Sequence, residues 1–245
     1  MGNNSAGNKN EDIIRDAINE RKIFELNDNL REFIKFIHPS IKNDDVIKCR
    51  KIAGQKKCDL AITIDNIETR VSVKSGGGNS VHQEKVEEFI YFLDEKYKID
   101  DSTANDIRFF IWGDKTLDGI GDEEDRLSGE ELRERYPSKI QRIKNFFEKN
   151  KKDLIERFLL TGASGDLIDV IYHGDKNKGV WATREEFEPR VLVTNTNSKV
   201  VIPVGQLSFQ AWNRAISGSN SEDNRGQIQL KWGGLKTMLT KIRNL

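Results

Sequence analysis

Asp59, Ser72 and Lys74 are the residues of this chain whose types and spacing could do chemistry together. An aspartate carboxylate can hold a hard divalent cation, and a lysine ammonium can orient a water or steady negative charge as it develops. Over one small space, the two are a minimal set for metal-assisted attack of water on a phosphate ester. A triple glycine, Gly76 to Gly78, follows at once and permits close approach of something bulky; Gln83 and Glu84 come a few residues later.

Two strands must position these groups. Leu60, Ile62 and Ile64 alternate with Asp59, Ala61 and Thr63, and Val71 and Val73 alternate with Arg70, Ser72 and Lys74. Asp65-Asn66-Ile67-Glu68 connects the two runs. A turn centred on Asn66 and Ile67 sets Asp59 opposite Lys74 and Ala61 opposite Ser72, with facing Cβ atoms about 5 Å apart. A slip of two residues keeps both charges on that face, whereas a slip of one parts them.

Around the hairpin, apolar residues recur at helical spacing over residues 11–37, as one long helix or two shorter ones, ended by His38-Pro39. Residues 46–54 read as a further strand, whose Lys48, Arg50 and Lys51 run into Gln55-Lys56-Lys57. That basic run is a phosphate contact or a solvated loop. Ser80 is expected to cap an amphipathic helix with Val81, Val86, Phe89, Ile90 and Leu93, and His82 to be a surface or capping residue in its first turn. Residues 106–113 read as a buried strand, 114–128 as an acidic solvated loop, and 129–160 as helix broken at Pro137. Past Gly162 the texture changes to short strands at 167–172, 180–182, 191–194, 200–204, 207–212 and 227–232. Two parts are therefore expected, residues 1–161 as a core and residues 162–245 as a β-rich segment packed on it.

Composition bounds the rest. The 245 residues can bury a full core, and 40 basic residues balance 40 acidic ones, so any attraction to nucleic acid must be local. Cys49 and Cys58, with three histidines, form no spaced zinc cluster; reduced thiols are the default, a disulfide between them the alternative. The polar first ten residues exclude a secretory signal, and no apolar run is long enough to cross a membrane. A soluble, cytoplasmic protein is expected.

An aspartate at the start of one strand, and a lysine two places beyond a polar residue on the next, resemble the pattern of the PD-(D/E)xK nuclease superfamily, here carried by Asp59, Ser72 and Lys74. The resemblance implies an α/β fold, a central mixed sheet flanked by helices. It also implies that Asp59 binds Mg2+, that Lys74 positions or activates water, and that position 72 gives a second ligand. Serine there departs from the usual carboxylate. An acid on the helix before the sheet often joins such a metal site, with Glu11 the first choice, Glu20 the second and Glu84 a further alternative. Gln83 resembles the glutamine of the helix after the lysine, and Gly77 and Asn79 fall where DNA would pass.

Near the C-terminus, Gln206, Ser208 and Gln210 alternate with apolar residues, as do Arg225, Gln227, Gln229 and Lys231. A two-stranded ribbon of this kind fits the DNA major groove, where Arg pairs with guanine and Gln with adenine. A catalytic hairpin followed by such a segment is similar in order to small type II restriction endonucleases of the MspI-like kind. The implied activity is sequence-specific, Mg2+-dependent hydrolysis of double-stranded DNA. A cognate DNA methyltransferase would be its functional partner, and a homodimer is possible on palindromic sites. The alternatives are a structure-selective or repair nuclease of the same fold, and a catalytically inactive DNA-binding module.

Overall fold

Asp65 and Asn66 both take left-handed backbone, with φ of 49° and 64°. Aspartate and asparagine tolerate that conformation and the β-branched Ile67 does not, so the two-residue hairpin turn centres on Asp65-Asn66. Leu60 therefore faces Val71 and Ile64 faces Ile67, two residues from the expected register. Continued outward, the pairing sets Asp59 opposite Ser72 rather than Lys74, and Ala61 opposite Arg70 rather than Ser72.

The computed structural model describes residues 4–54, 56–76, 80–162, 165, 167–216 and 222–244. In chain order the elements are α1 (Asn4–Ile18), β1 (Arg21–Lys22), α2 (Asp28–Ile37), β2 (Val46–Lys51), β3 (Leu60–Ile64), β4 (Ile67–Lys74), β5 (Ser80–Lys85), α3 (Val86–Tyr97) and α4 (Asp101–Trp112). Then come α5 (Gly129–Arg135), α6 (Pro137–Lys149), α7 (Lys151–Ile155), β6 (Val170–Gly174), β7 (Gly179–Thr183), α8 (Arg184–Val191), β8 (Ile202–Val204), β9 (Leu207–Ala211), β10 (Gln227–Lys231) and α9 (Leu235–Arg243). The fold is α/β, with a mixed sheet flanked by helices. No described helix is long and apolar enough to cross a membrane.

The chain divides into two compact units that interleave along the sequence, in place of the single boundary near Gly162 that the change of texture predicts. The first comprises Met1–Gly78, Leu159–Arg190 and Gly234–Leu245; the second comprises Asn79–Phe158 and Val191–Gly233.

In the first unit a sheet runs in the order β1-β2-β3-β4-β6-β7, parallel only where β4 meets β6. The apolar sides of the hairpin strands, Leu60, Ile62, Ile64, Val71 and Val73, pack with Ile14 and Ile18 of α1 and Leu30, Phe33 and Ile34 of α2. Burying each such side chain contributes about 1.5–3 kcal/mol. The polar sides of the same strands are thereby fixed away from that core.

In the second unit β5-β10-β9-β8 form an antiparallel sheet. Its apolar face meets a phenylalanine cluster in which Phe147 and Phe209 rings lie 4.9 Å apart and Phe89 and Phe158 rings 5.6 Å apart.

Three expected elements differ. Residues 80–85 are a strand, not the start of a helix, because β10 pairs with them, and the helix begins at Val86. Residues 106–113 belong to α4: Asp100 accepts a bond from the Thr103 N–H at 2.9 Å and Gly113 closes the helix at φ 69°, so caps override the β-prone Phe-Phe-Ile-Trp run. Val191 ends α8 rather than opening a strand.

Candidate active site

Asp59 stands one residue before β3, its N–H bonded to the Val71 carbonyl at 2.9 Å. Three donors from β4 converge on its Oδ2: the Val73 N–H at 2.6 Å, the Ser72 hydroxyl at 3.1 Å and the Lys74 ammonium at 3.4 Å. Oδ1 takes none of these. The register is two residues from the expected one, and since side chains alternate with period two, Asp59 and Lys74 still share a face. Neither is sealed off, the side chains keeping 18% and 26% of full exposure. Ser72 is buried at 2%, its hydroxyl turned to the carboxylate.

A second carboxylate joins them from α1. Glu11 accepts a bond from Lys51 Nζ at 3.1 Å, and the same ammonium reaches Asp12 at 3.3 Å. Burial and then the charge of Asp59 raise the Glu11 pKa above the usual carboxylate value, against the pull of Lys51 and Lys74. Burial works against the Lys51 charge, but its bonds to Glu11 and Asp12 more than offset this and leave its pKa raised. Lys51 therefore holds an acid, a role its place in a basic run did not reveal. Its alternation on β2 toward α1 was the available signal.

Of the other acids considered, Glu20 lies in the turn after α1 in left-handed backbone, φ 57°. Glu84 belongs to the second unit, buried against His82 at 2.8 Å and Arg157 at 2.6 Å. His82 is likewise a buried strand residue rather than a surface cap. Among the described residues no group of three or more His, Cys, Asp or Glu could hold a metal ion. Cys58, beside Asp59, is a free buried thiol whose pKa burial pushes up to about 11. Cys49 is also free and buried.

No family model and no curated protein sequence matches the chain. Among solved structures it is similar to the restriction endonuclease MspI, in a crystal structure with its cognate DNA, at TM-score 0.55 and 14% identity, over 90% of this chain and 87% of that one. The fold is restriction-endonuclease-like. At that identity the likeness speaks for the fold alone.

The residues expected to contact DNA separate into two groups. Arg225 is an internal anchor: it pairs with the fully buried Asp114 at 2.8 Å and lies over the Trp112 ring. Asp114 is thus no part of a solvated loop. Gln206 donates to the Val193 carbonyl at 2.9 Å and Gln227 to the Asp223 carbonyl at 3.3 Å. Ser208, Gln210, Gln229 and Lys231 do share a face, since Gln229 faces Gln210 and Lys231 faces Ser208. The expected two-stranded ribbon is part of a wider sheet: β5 flanks β10 and brings Gln83 opposite Gln229. Gln83 thus sits in the second unit on a strand, not at a helix start. Gln229 is buried, its Oε1 accepting from Gln210 at 3.2 Å and its Nε2 donating to Ser80 at 3.3 Å. Trp212 lies just beyond β9, its N–H bonded to the Gln227 carbonyl at 2.8 Å. Gly77 and Asn79 lie outside the described residues.

Proposed function

We propose that the chain is a type II restriction endonuclease, hydrolysing phosphodiester bonds of double-stranded DNA with Mg2+ at a specific sequence. One observation carries the reading: Asp59, Ser72 and Lys74 meet on one sheet face of a restriction-endonuclease-like fold, Asp59 and Lys74 still reachable by solvent and Glu11 near enough to feel the Asp59 charge.

Mg2+ takes one or two protein carboxylates and keeps several waters, so a two-acid set suits it. Asp59 and Glu11 would hold it. When bound, the ion supplies charge neutralisation and a water of lowered pKa. Lys74 orients the attacking water and steadies charge on the phosphorus oxygens. The Ser72 hydroxyl and the Val73 N–H fix the Asp59 carboxylate so that it does not follow Lys74. The first unit would then be the catalytic part. In the second, the polar face of Gln83, Gln210, Ser208 and Lys231, with the buried Gln229 holding Gln210 in place, would read base edges, where each good pair gives about 1–3 kcal/mol of discrimination. A host making such an enzyme would also need a methyltransferase of the same specificity.

Digestion of a mapped genome with Mg2+, followed by sequencing of the ends, tests the reading. Discrete fragments sharing one terminal sequence are expected. A smear would point to a structure-selective nuclease, and retarded but intact DNA to an inactive binding module.

A further inference from the structure

Resting on the nuclease reading, we propose that the basic notch formed by Arg50, Arg70 and Lys56 beside Asp59 seats a DNA backbone phosphate neighbouring the one that is cut. On β2, β3 and β4 one cross-strand row reads Arg50, Ala61, Arg70. The row falls on the face of Asp59 and Ser72, because Ala61 is two residues beyond Asp59 and Arg70 two before Ser72. Two residues along a strand span about 7 Å, roughly one nucleotide step along an extended backbone. Ala61 contributes only a methyl between the two arginines. Beside this row a notch of about 110 Å3 is lined by Arg50, Ile52, Lys56, Cys58, Glu68 and Arg70.

Two arginines thus share one carboxylate at this notch. Glu68 accepts from Arg50 at 2.8 Å and from Arg70 at 3.3 Å, which holds both guanidinium groups over the notch. A guanidinium carries five N–H donors, so holding Glu68 leaves Arg50 most of its capacity for an anion. Arg50 keeps 63% of its side-chain exposure. Exposed ion pairs contribute little to stability, so a pair of arginines gathered on Glu68 beside the candidate site is poorly explained as scaffolding. In a chain with no net charge, it is the kind of local attraction that DNA binding needs.

The test compares wild type with the double variant Arg50→Gln/Arg70→Gln on a duplex that wild type cuts, without divalent ions for binding and with Mg2+ for cutting. The variant is expected to bind cognate and unrelated duplexes about tenfold less tightly, and to lower the slope of log affinity against log salt by about two. Its fragment ends should be unchanged. One neutral methylphosphonate beside the scissile phosphate should weaken wild type but not the variant. Thermal melting and circular dichroism confirm that the variant is folded. An unchanged salt slope, or equal losses from methylphosphonate in both proteins, would overturn the seat while leaving the nuclease reading intact. A wild type that neither cuts nor retards duplex DNA overturns that reading and the seat together.

Discussion

Glu11 in the first unit and Glu84 in the second are both largely buried acids facing cations, yet their protonation is pushed in opposite directions. Burial works against the Glu84 charge, but His82 at 2.8 Å and Arg157 at 2.6 Å more than offset it and hold its pKa below the usual value. For Glu11, burial and the Asp59 carboxylate outweigh the Lys51 and Lys74 ammonium groups, and its pKa is raised. Glu84 is an acid whose partners the fold supplies in full. Glu11 and Asp59 form a pair whose charge the fold leaves partly uncompensated, the condition under which an incoming cation gains most.

The sharpest way to break this contrast is at Asp59 and Lys74. Asp59→Asn and Lys74→Ala should each lower DNA cleavage by about 100-fold to 1000-fold or more, the scale expected when a preorganised charge is removed from a transition state. Duplex binding, followed by gel retardation, and the melting temperature should change little. If unfolding accompanied the loss, these residues would be scaffold like Glu84.

Arg157→Met works from the other side. It leaves a buried carboxylate short of a partner, and breaking such a pair costs about 3–5 kcal/mol. Urea denaturation measures it, and a loss below about 1 kcal/mol would refute the view that Glu84 depends on its cations.

The two acids also differ in the sign of their pH dependence. A folded-state pKa below the unfolded value means that Glu84 adds stability above the ordinary carboxylate range, which is lost as pH falls through its folded pKa. Glu84→Gln should flatten that acid limb. Glu11, with its folded pKa raised, favours folding below the ordinary range, and this is lost as pH rises through the folded value. Glu11→Gln in metal-free protein should therefore melt higher than wild type at neutral pH, converge with it in acid, and cut poorly. Urea and thermal curves from acid to neutral pH decide this, and curves of the same sign would remove the distinction.

The difference between the regions also marks what could be read from the sequence. The hairpin was legible because its alternation is strict, and Asp59 and Lys74 survived a misplaced turn because the error was two residues, one full period of the strand. Asp65-Asn66 carried the correct turn, since both residues tolerate left-handed backbone. The second unit was less legible because its pairings are distant. Residues 80–85 alternate weakly, and only β10, far along the chain, makes them a strand. Arg225 alternates in sequence with Gln227 and Gln229, and nothing local told that Asp114 would claim it. In α4, by contrast, Asp100 and Gly113 were readable caps that the apolar run obscured.

Ser72 carries the smallest expected effect and tests the site most finely. Its hydroxyl is buried and donates to Asp59 at 3.1 Å, and a hydrogen bond to a charged group contributes about 1.5–3 kcal/mol. Asp59 keeps the Val73 N–H at 2.6 Å and Lys74 at 3.4 Å when the hydroxyl is gone, so the carboxylate should stay in place. Ser72→Ala should then slow cutting by about tenfold, the low end of that range, since 1.36 kcal/mol is one decade in rate. The metal concentration for half-maximal cutting should barely move, because the hydroxyl positions Asp59 rather than holding the ion. A loss as deep as that of Asp59→Asn, with a steep rise in the metal required, would instead make Ser72 Oγ a ligand, and the site would then have three protein donors where two acids are proposed.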